Sequence, residues 1–152
     1  SLYEYSESSA YAVNAYLCGE DTLMCRTAKS IISRSHADDI IRDIDRVLRR
    51  ITIPMPVRVY RSELLDDRDN EYSRVRACLH GLYVKKSYAS TSVVRDDACR
   101  YVIDVPAGFH AISMHGISAH GDEYEILLPH DAVYRVDDMD ADGVLHMIPV
   151  RS

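Results

Sequence analysis

The sequence lacks several features that mark common classes of protein. None of its four cysteines forms a C-x-x-C pair, which argues against zinc ribbons and thioredoxin-type redox sites. No apolar run approaches the length of a membrane span, and no signal peptide is visible, so we expect no membrane partner. Because the chain begins abruptly at Ser1, an excised domain without its targeting segment stays an open alternative.

An excess of positive charge is also lacking: 24 Asp and Glu residues outnumber 18 Lys and Arg residues, so the formal net charge is −6. This balance argues against nucleic acid as a partner, because phosphate binding usually needs a basic face. The length of 152 residues suits one domain with a proper core, and 47% hydrophobic content is typical of a globular protein. We interpret the cysteines as free, mostly buried thiols of a reducing compartment, with a disulfide as the alternative.

The apolar pattern predicts helices in the first part of the chain. Residues 8–18 carry an apolar stripe, and residues 21–34 predict a second helix. The clearest helix covers residues 35–51, where apolar residues recur at helical spacing. Ser35 followed by Asp38 resembles a capping box at its start.

The rest of the chain, after the helix-breaking prolines of residues 53–56, changes character. It predicts a short helix over residues 70–81 and strands over residues 57–61, 82–93, 100–106, 110–117, 122–129, 132–139 and 143–151. Helices first and strands later indicate an α+β fold with an antiparallel sheet or sandwich. We expect one domain over residues 1–152, with a helical part to about residue 52 and a mostly β part from about residue 57.

Two motifs imitate known sites without matching them. Asp138 to Gly143 reads D-x-D-x-D-G like the start of an EF-hand loop, but the twelfth position is Pro149 instead of Glu. An acidic hairpin turn explains this segment better than a metal site. The spacing in residues 116–121 is wrong for a G-x-S-x-G nucleophile elbow, so we discard a hydrolase on that ground.

Two glutamates, Glu123 and Glu125, stand at the start of an otherwise apolar strand. Residues i and i+2 of a strand project from the same face, so both would point one way while Tyr124 points away. Two like charges side by side repel each other. Either this face is open to water or the pair has a function.

The order of three motifs resembles the signature of the mono-ADP-ribosyltransferases of the R-S-E class, a family of bacterial toxins and effectors. Arg61 ends one strand, an S-T-S motif lies on a later strand, and the E-x-E motif of Glu123 and Glu125 follows. The segment YAVNAYLCG is similar to the helical IN-x-YLRG pattern of these toxins, and the flanks of S-T-S and E-x-E also resemble theirs. The sequence departs from the family at Ser62, where a glycine is frequent, and at His120, where many toxins have an aromatic residue.

The resemblance implies N-terminal helices packed on an antiparallel β-sandwich core. It implies transfer of ADP-ribose from NAD+, the co-substrate, to a side chain of a target protein, with no metal. A Glu at the first position of E-x-E favours arginine as the acceptor. The protein would be secreted by a bacterium and act in the cytosol of a host or target cell, on a protein such as actin, a small GTPase or ubiquitin.

The resemblance also assigns roles to residues. Glu125 would stabilise positive charge on the ribose, and Glu123 would orient the incoming guanidinium and take its proton. Arg61 would bind an NAD phosphate or ribose, and Ser90 would hold Glu125 or NAD in place. The remaining candidates are Thr91, Ser92, Arg95, Asn14 and Tyr16 for the NAD pocket, and His120 and Tyr124 for recognition of the target.

Two alternatives stay open. The first keeps the NAD chemistry but changes the acceptor to another side chain such as Thr, a nucleic acid, or water, which would make the protein an NAD glycohydrolase. The second is a binding module that keeps the fold without activity. The intact Arg61, S-T-S motif and Glu125 speak against the second.

Overall fold

The structure, a computed structural model, describes residues 10–19, 33–63, 71–114 and 124–152. The helices in these ranges are α1 (Ala10–Leu17), α2 (Arg34–Leu48) and α3 (Glu71–Ala77). The strands are β1 (Val57–Ser62), β2 (Leu82–Lys85), β3 (Ala89–Ser92), β4 (Cys99–Val105), β5 (Ile112–Ser113), β6 (Glu125–Leu128), β7 (Ala132–Met139) and β8 (Leu145–Arg151). None of the described helices is long and apolar enough to cross a membrane.

Helix α2 begins earlier than the sequence predicts. Ser33 has an extended backbone, and its Oγ accepts a hydrogen bond from the backbone N–H of His36 at 3.2 Å. The capping box predicted at Ser35 and Asp38 is therefore wrong, because the earlier serine already caps the helix and Ser35 lies in its first turn. The buried face of the helix carries Ala37, Ile40, Ile44 and Leu48.

The other two helices are also close to their predicted ranges. Helix α1 ends before Gly19, whose φ of 87° lies in the left-handed region that favours glycine. Helix α3 ends at Ala77, short of the predicted residue 81, because the chain then tightens into turns and His80 adopts a φ of 69°. Most of the helix predicted over residues 21–34 lies outside the described residues.

The strands form one continuous sheet in the order β2-β7-β8-β4-β1-β3-β6-β5. Neighbouring strands are antiparallel, except that β4 and β8 run parallel. The predicted α+β class is confirmed. Strand β8 forms an antiparallel hairpin with β7 along one edge. Along its other edge it pairs with β4, which runs in the same direction as β8.

The sheet curls around its own core. The largest buried cluster contains Leu128 of β6 and Tyr134 of β7, two strands that stand far apart in the strand order. In a flat sheet, with about 4.8 Å between neighbouring strands, they would lie roughly 24 Å from each other. The two ends of the sheet must therefore fold over each other, which produces the sandwich-like core. Helix α3 contributes Val75 to this cluster.

The helices α1 and α2 cover the other face of β5 and β6. A second buried cluster joins Val13 of α1 and Ile44 of α2 to Tyr88, Ile112 and Leu127. Successive residues of β6 therefore face opposite layers, since Leu127 packs against the helices and Leu128 faces the core of the sheet. Strand β6 is thus fixed from both sides, immediately after its first residue, Glu125.

The predicted acidic hairpin turn between β7 and β8 is confirmed. The Asp140 carboxylate accepts the backbone N–H of Asp142 at 2.9 Å and that of Val144 at 3.0 Å. Gly143 has a φ of 81°, which a turn of this kind needs. One carboxylate of this acidic segment, that of Asp140, therefore closes the turn.

Three of the cysteines lie in the described part of the chain, and none of these three forms a disulfide. Their prediction as free thiols is confirmed. The expectation that they are mostly buried is wrong, because only Cys99 is buried, while Cys78 is partly exposed and Cys18 lies on the surface just after α1. Cys25 lies outside the described residues.

Candidate active site

Three neighbouring strands bring the motif residues together. Strands β1, β3 and β6 are adjacent in the sheet. Tyr60 on β1 lies opposite Ser92 on β3, and Ser92 lies opposite Glu125 on β6. Arg61, Ser90 and Glu125 therefore come close in space although they are distant in the sequence.

The register places Ser90 beside Glu125. Residues directly opposite each other in an antiparallel pair share a face, as do residues i and i+2, so Ser90, Ser92 and Glu125 project together. The Ser90 hydroxyl donates a hydrogen bond to Oε2 of Glu125. An ionised carboxylate can accept about four hydrogen bonds, so Glu125 keeps the capacity to bind a further hydroxyl.

Thr91 faces the opposite layer. Its side chain is buried, and its Oγ1 donates to the backbone carbonyl of Ile126 at 2.7 Å. This bond ties β3 to β6 one residue away from Glu125. The hydroxyl of Ser92 accepts the backbone N–H of Val94 at 3.0 Å, so it fixes the start of the segment after β3. These two residues shape the site through strand pairing and loop geometry.

Arg61 is held by the backbone of the S-T-S strand. Its Nη1 donates to the carbonyl oxygen of Ser90 at 2.9 Å. Its Nε is buried and has no hydrogen-bond partner among the described residues. A guanidinium has five N–H donors in a planar fork, so donors are left for an anionic ligand.

These side chains line an open cleft of about 420 Å³. Ligand-binding pockets are usually about 300–1,000 Å³, so the volume is that of a small-molecule site. The lining combines one cation, two carboxylates, several hydroxyls and two aromatic rings: Tyr60, Arg61, Ser62, Ser90, Thr91, Ser92, Val94, Asp96, Tyr124 and Glu125. The set offers donors for phosphates and a carboxylate for developing positive charge.

Ser62 and Asp96 are cleft residues to which the sequence analysis gave no role. The Ser62 hydroxyl donates to Oδ1 of Asp96 at 2.5 Å, and the backbone N–H of Ala98 donates to the same oxygen at 2.9 Å. The segment between β3 and β4 is thereby tied to the end of β1. The one signal in the sequence was the serine after Arg61, where the family often has glycine. The adjacent Arg95 is not among the described residues that line the cleft, but its guanidinium carbon lies 6.0 Å from the centre of the ring of Tyr60, which does line it.

Asn14 and Tyr16 of α1 are not among the described residues that line this cleft. The Asn14 side-chain oxygen accepts the backbone N–H of Tyr88 at 3.1 Å, so it anchors the chain just before β3. The Tyr16 hydroxyl donates to Oδ1 of Asp38 on α2 at 2.7 Å. Both residues thus support the layer on which the site is built, and their roles toward NAD stay predictions.

Part of the E-x-E segment lies outside the described residues. This applies to Glu123 and His120, and the prediction that the two glutamates share a face stays a prediction. Tyr124 is described: the residue is 57% exposed at the cleft, and its carbonyl accepts the backbone N–H of Val93 at 3.1 Å. Within the described ranges, no group of three or more His, Cys, Asp or Glu residues is arranged to hold a metal ion.

The sequence profile of the ADP-ribosyltransferase exoenzyme family matches residues 1–147. The chain belongs to this family. The match covers nearly the whole chain, so the resemblance inferred from the R-S-E motifs is confirmed. The chain is therefore an NAD-dependent mono-ADP-ribosyltransferase.

Solved structures of other proteins share the fold of this member of the exoenzyme family. Plx2a, an ADP-ribosyltransferase toxin from Paenibacillus larvae, is 21% identical with a TM-score of 0.74, over 98% of this chain and 83% of that one. An ADP-ribosyltransferase from Clostridium botulinum is 17% identical with a TM-score of 0.73, over 99% and 83%. A protein from S. aureus, solved with NAD, is 17% identical with a TM-score of 0.72, over 99% and 85%. A search of curated protein sequences found no match.

Proposed function

We propose that this ADP-ribosyltransferase modifies arginine side chains of a target protein, with Arg61, Ser90 and Glu125 at its NAD site and Glu123 at the acceptor. One observation carries the proposal: the Glu125 carboxylate, fixed by the Ser90 hydroxyl, and the Arg61 guanidinium line the same cleft. The pairing of a fixed carboxylate with a cation suits a ligand that has phosphates at one end and a developing positive charge at the other.

The residues present fit NAD. When bound, NAD supplies the ADP-ribose group and a nicotinamide that is already a good leaving group. The free donors of Arg61 would bind a phosphate, which suits a planar guanidinium. Arg95, whose guanidinium lies beside the cleft residue Tyr60, would provide a second phosphate contact. The hydroxyls of Thr91 and Ser92 hold strand β3 and the segment after it in position between Arg61 on β1 and Glu125 on β6.

Glu125 would stabilise positive charge on the ribose. Loss of the nicotinamide gives the sugar oxocarbenium character, as in glycoside hydrolysis. A carboxylate that is already oriented stabilises this charge without reorganising during the reaction. Ser90 contributes by holding the carboxylate in that orientation through its hydroxyl.

Glu123 would serve the acceptor. An arginine guanidinium is protonated at neutral pH and is a poor nucleophile. A carboxylate beside it can orient it and accept its proton as it attacks. The two glutamates of E-x-E thus have separate tasks, one toward the sugar and one toward the nucleophile. Tyr124, exposed between them, and His120 would contact the target protein.

The wider biology is proposed on the same basis. Plx2a is described as a toxin, and we propose that this chain is likewise secreted by a bacterium and acts on a protein in the cytosol of another cell. We also propose that residues 1–152 form a single catalytic domain. Actin, a small GTPase and ubiquitin are the candidate targets.

Transfer of label from biotin-labelled NAD tests the proposal. The protein is incubated with a eukaryotic cell lysate beside Glu125→Gln and Glu123→Gln, and the label is detected by blotting. Wild type should label a discrete protein, and Glu125→Gln should lose both labelling and nicotinamide release by about 10²-fold or more, because the oriented negative charge is gone. Glu123→Gln should lose labelling but keep nicotinamide release with water as acceptor.

The modified side chain, found by mass spectrometry of the labelled protein, decides the acceptor. Label on a residue other than arginine contradicts the arginine proposal but keeps the transferase. Nicotinamide release that depends on Glu125, with no protein labelled in any lysate, indicates a glycohydrolase. Labelling that survives Glu125→Gln at the wild-type rate contradicts the proposed site.

A further inference from the structure

A buried ion pair lies behind Arg61, in the interior of the sheet. The Nζ of Lys85 donates to both carboxylate oxygens of Glu71, at 2.6 and 2.9 Å, and the Tyr83 hydroxyl donates to Oε2 of Glu71 at 2.9 Å. The Lys85 and Glu71 side chains are only 7% and 14% exposed. Burying two charges is costly, and no step of the proposed reaction uses this pair.

Arg61 separates this pair from the cleft. Arg61 lies opposite the core residue Tyr101 on β4, and opposite residues share a face, so its side chain starts on the inner side of the sheet. It lines a small inner cavity of about 10 Å³ together with Glu71, Tyr83 and Lys85. Among the described residues, Arg61 alone lines both this cavity and the cleft.

Three charged groups therefore meet at the inner cavity. Burial would raise the pKa of Glu71, but Lys85 and then Arg61 hold it below its usual value. Burial and the nearby charge of Arg61 lower the pKa of Lys85, and Glu71 opposes this shift. The Glu71 carboxylate thus attracts two cations that repel each other.

We propose that Glu71, held in place by Lys85 and Tyr83, is a positioning residue that fixes the Arg61 guanidinium in the wall of the cleft. The inference rests on the proposed role of Arg61 in binding NAD. The Ser90 carbonyl restrains the guanidinium through Nη1. Its Nε is buried and has no hydrogen-bond partner in the described part of the chain, and the Glu71 carboxylate across the inner cavity attracts the guanidinium from that side. A guanidinium held from both sides meets a phosphate without losing further side-chain freedom.

Removal of the whole pair tests this role. Glu71→Gln alone leaves Lys85 as an unpaired buried charge, so folding itself would be compromised. The double variant Glu71→Gln/Lys85→Met replaces both charges with neutral groups of similar size, a change that often leaves stability unaltered. We expect a Tm within about 5 °C of wild type and a Kd for NAD, measured by calorimetry, that rises about tenfold.

A matched control lies on the same strand. Arg58 and Asp104 form an exposed ion pair between β1 and β4, with Nε to Oδ1 at 2.8 Å. Arg58→Gln/Asp104→Asn removes one pair of opposite charges, as the test variant does, but at a site outside the cleft lining. This control should keep the wild-type Kd for NAD. A rise equal to that of the test variant would overturn the positioning role, because any lost ion pair would then weaken binding.

A double-mutant cycle separates positioning from a general structural effect. In an Arg61→Ala background, removing the Glu71–Lys85 pair should weaken NAD binding no further, because the residue that it positions is absent. A further tenfold loss in that background would overturn the inference, and so would a double variant with native Tm and wild-type Kd. A failure of the proposed function would be recognised by a different observation: either the wild-type protein does not bind NAD, or Arg61→Ala binds NAD as tightly as wild type. Either observation contradicts both the proposed function and the positioning role.

Discussion

The Ser90–Glu125 hydrogen bond is the contact on which the proposed chemistry depends most directly. Ser90 lies two residues along β3 from Ser92, the residue opposite Glu125, so the hydroxyl reaches the carboxylate diagonally across the strand pair. A carboxylate without this bond would rotate more freely about its side-chain torsions. The contribution of Ser90 would therefore appear in the chemical step more than in the binding of NAD.

Ser90→Ala should lower kcat by about 10- to 100-fold with a smaller change in KM for NAD, since orientation of Glu125 is needed most in the transition state. Ser92→Ala is the matched comparison, because Ser92 has the same residue type, strand and face but bonds to the Val94 backbone instead. Steady-state nicotinamide release measures both variants. Equal losses in kcat for the two serines would contradict a specific role for the Ser90 hydroxyl.

The sequence predicts some of the cleft and cannot predict the rest. Arg61, Ser90 and Glu125 stand in short motifs whose order is readable along the chain. The charged residues behind Arg61 cannot be predicted in this way, because Glu71 and Lys85 lie on a helix and an edge strand that become its neighbours only when the sheet curls. Their residue types, a glutamate and a lysine, are ordinary on a surface, so nothing local distinguishes them.

Helix α2 shows why element boundaries are harder to predict than elements. Its apolar stripe predicts the helix and its buried face correctly. Two serines, Ser33 and Ser35, both precede that stripe, and the pattern of types at Ser35 is closer to a capping box. The structure caps with Ser33, because that start satisfies the His36 N–H and extends the helix by two residues.

Ser33→Ala should lower the free energy of unfolding by about 1 kcal/mol, because the backbone N–H of His36 loses its acceptor. Ser35→Ala should change it by only a few tenths of a kcal/mol, since serine is a moderate helix former within the first turn. Urea unfolding followed by circular dichroism measures both. A larger loss of unfolding free energy for Ser35→Ala than for Ser33→Ala would contradict the cap at Ser33 and favour the cap predicted at Ser35.

Strand pairing is the part of the fold that period-two patterns leave open. Alternation identifies β4 and β8 as strands, but it does not tell which strands are neighbours. Their parallel pairing in the middle of the sheet, Tyr101 opposite Leu145, follows from the hairpin of β7 and β8 and from closure of the core. On the other edge of β4 lies β1, which pairs in turn with β3 and so brings Arg61 beside Ser90.

At the scale of the whole molecule, one ionic contact joins the helical layer to the sheet near the site. Asp45 of α2 accepts from the Tyr88 hydroxyl at 2.7 Å and lies 2.7 Å from Nε2 of His130, in the turn after β6. Nδ1 of His130 lies 3.0 Å from Oδ2 of Asp131. Only a protonated imidazole can donate to both carboxylates. The packing of α2 against β3 and β6 should therefore depend on the protonation of His130, and hence on pH.

The stability of the protein should fall as pH rises from about 5.5 to 8.5. The hydrogen bond with Asp45 raises the pKa of His130 despite partial burial, so its contribution is complete below the ordinary histidine pKa of about 6.5 and disappears as pH passes the raised value. The pKa of Asp45 is lowered: burial opposes this, but bonds from His130 and Tyr88 prevail, and its contribution is lost only in acid. The loss over this range should be about 1 kcal/mol, or roughly 2–4 °C in Tm.

Thermal unfolding across this pH range, with two variants, isolates the pair. His130→Gln should show a smaller fall in Tm with rising pH than wild type, because the titrating partner of Asp45 is gone. Tyr88→Phe removes a hydrogen bond to the same carboxylate without removing the imidazole, so it should lower Tm by a similar amount at each pH of the range. A His130→Gln variant that keeps the full wild-type slope would show that other groups cause the pH dependence, and that this contact does not hold the layers together through charge.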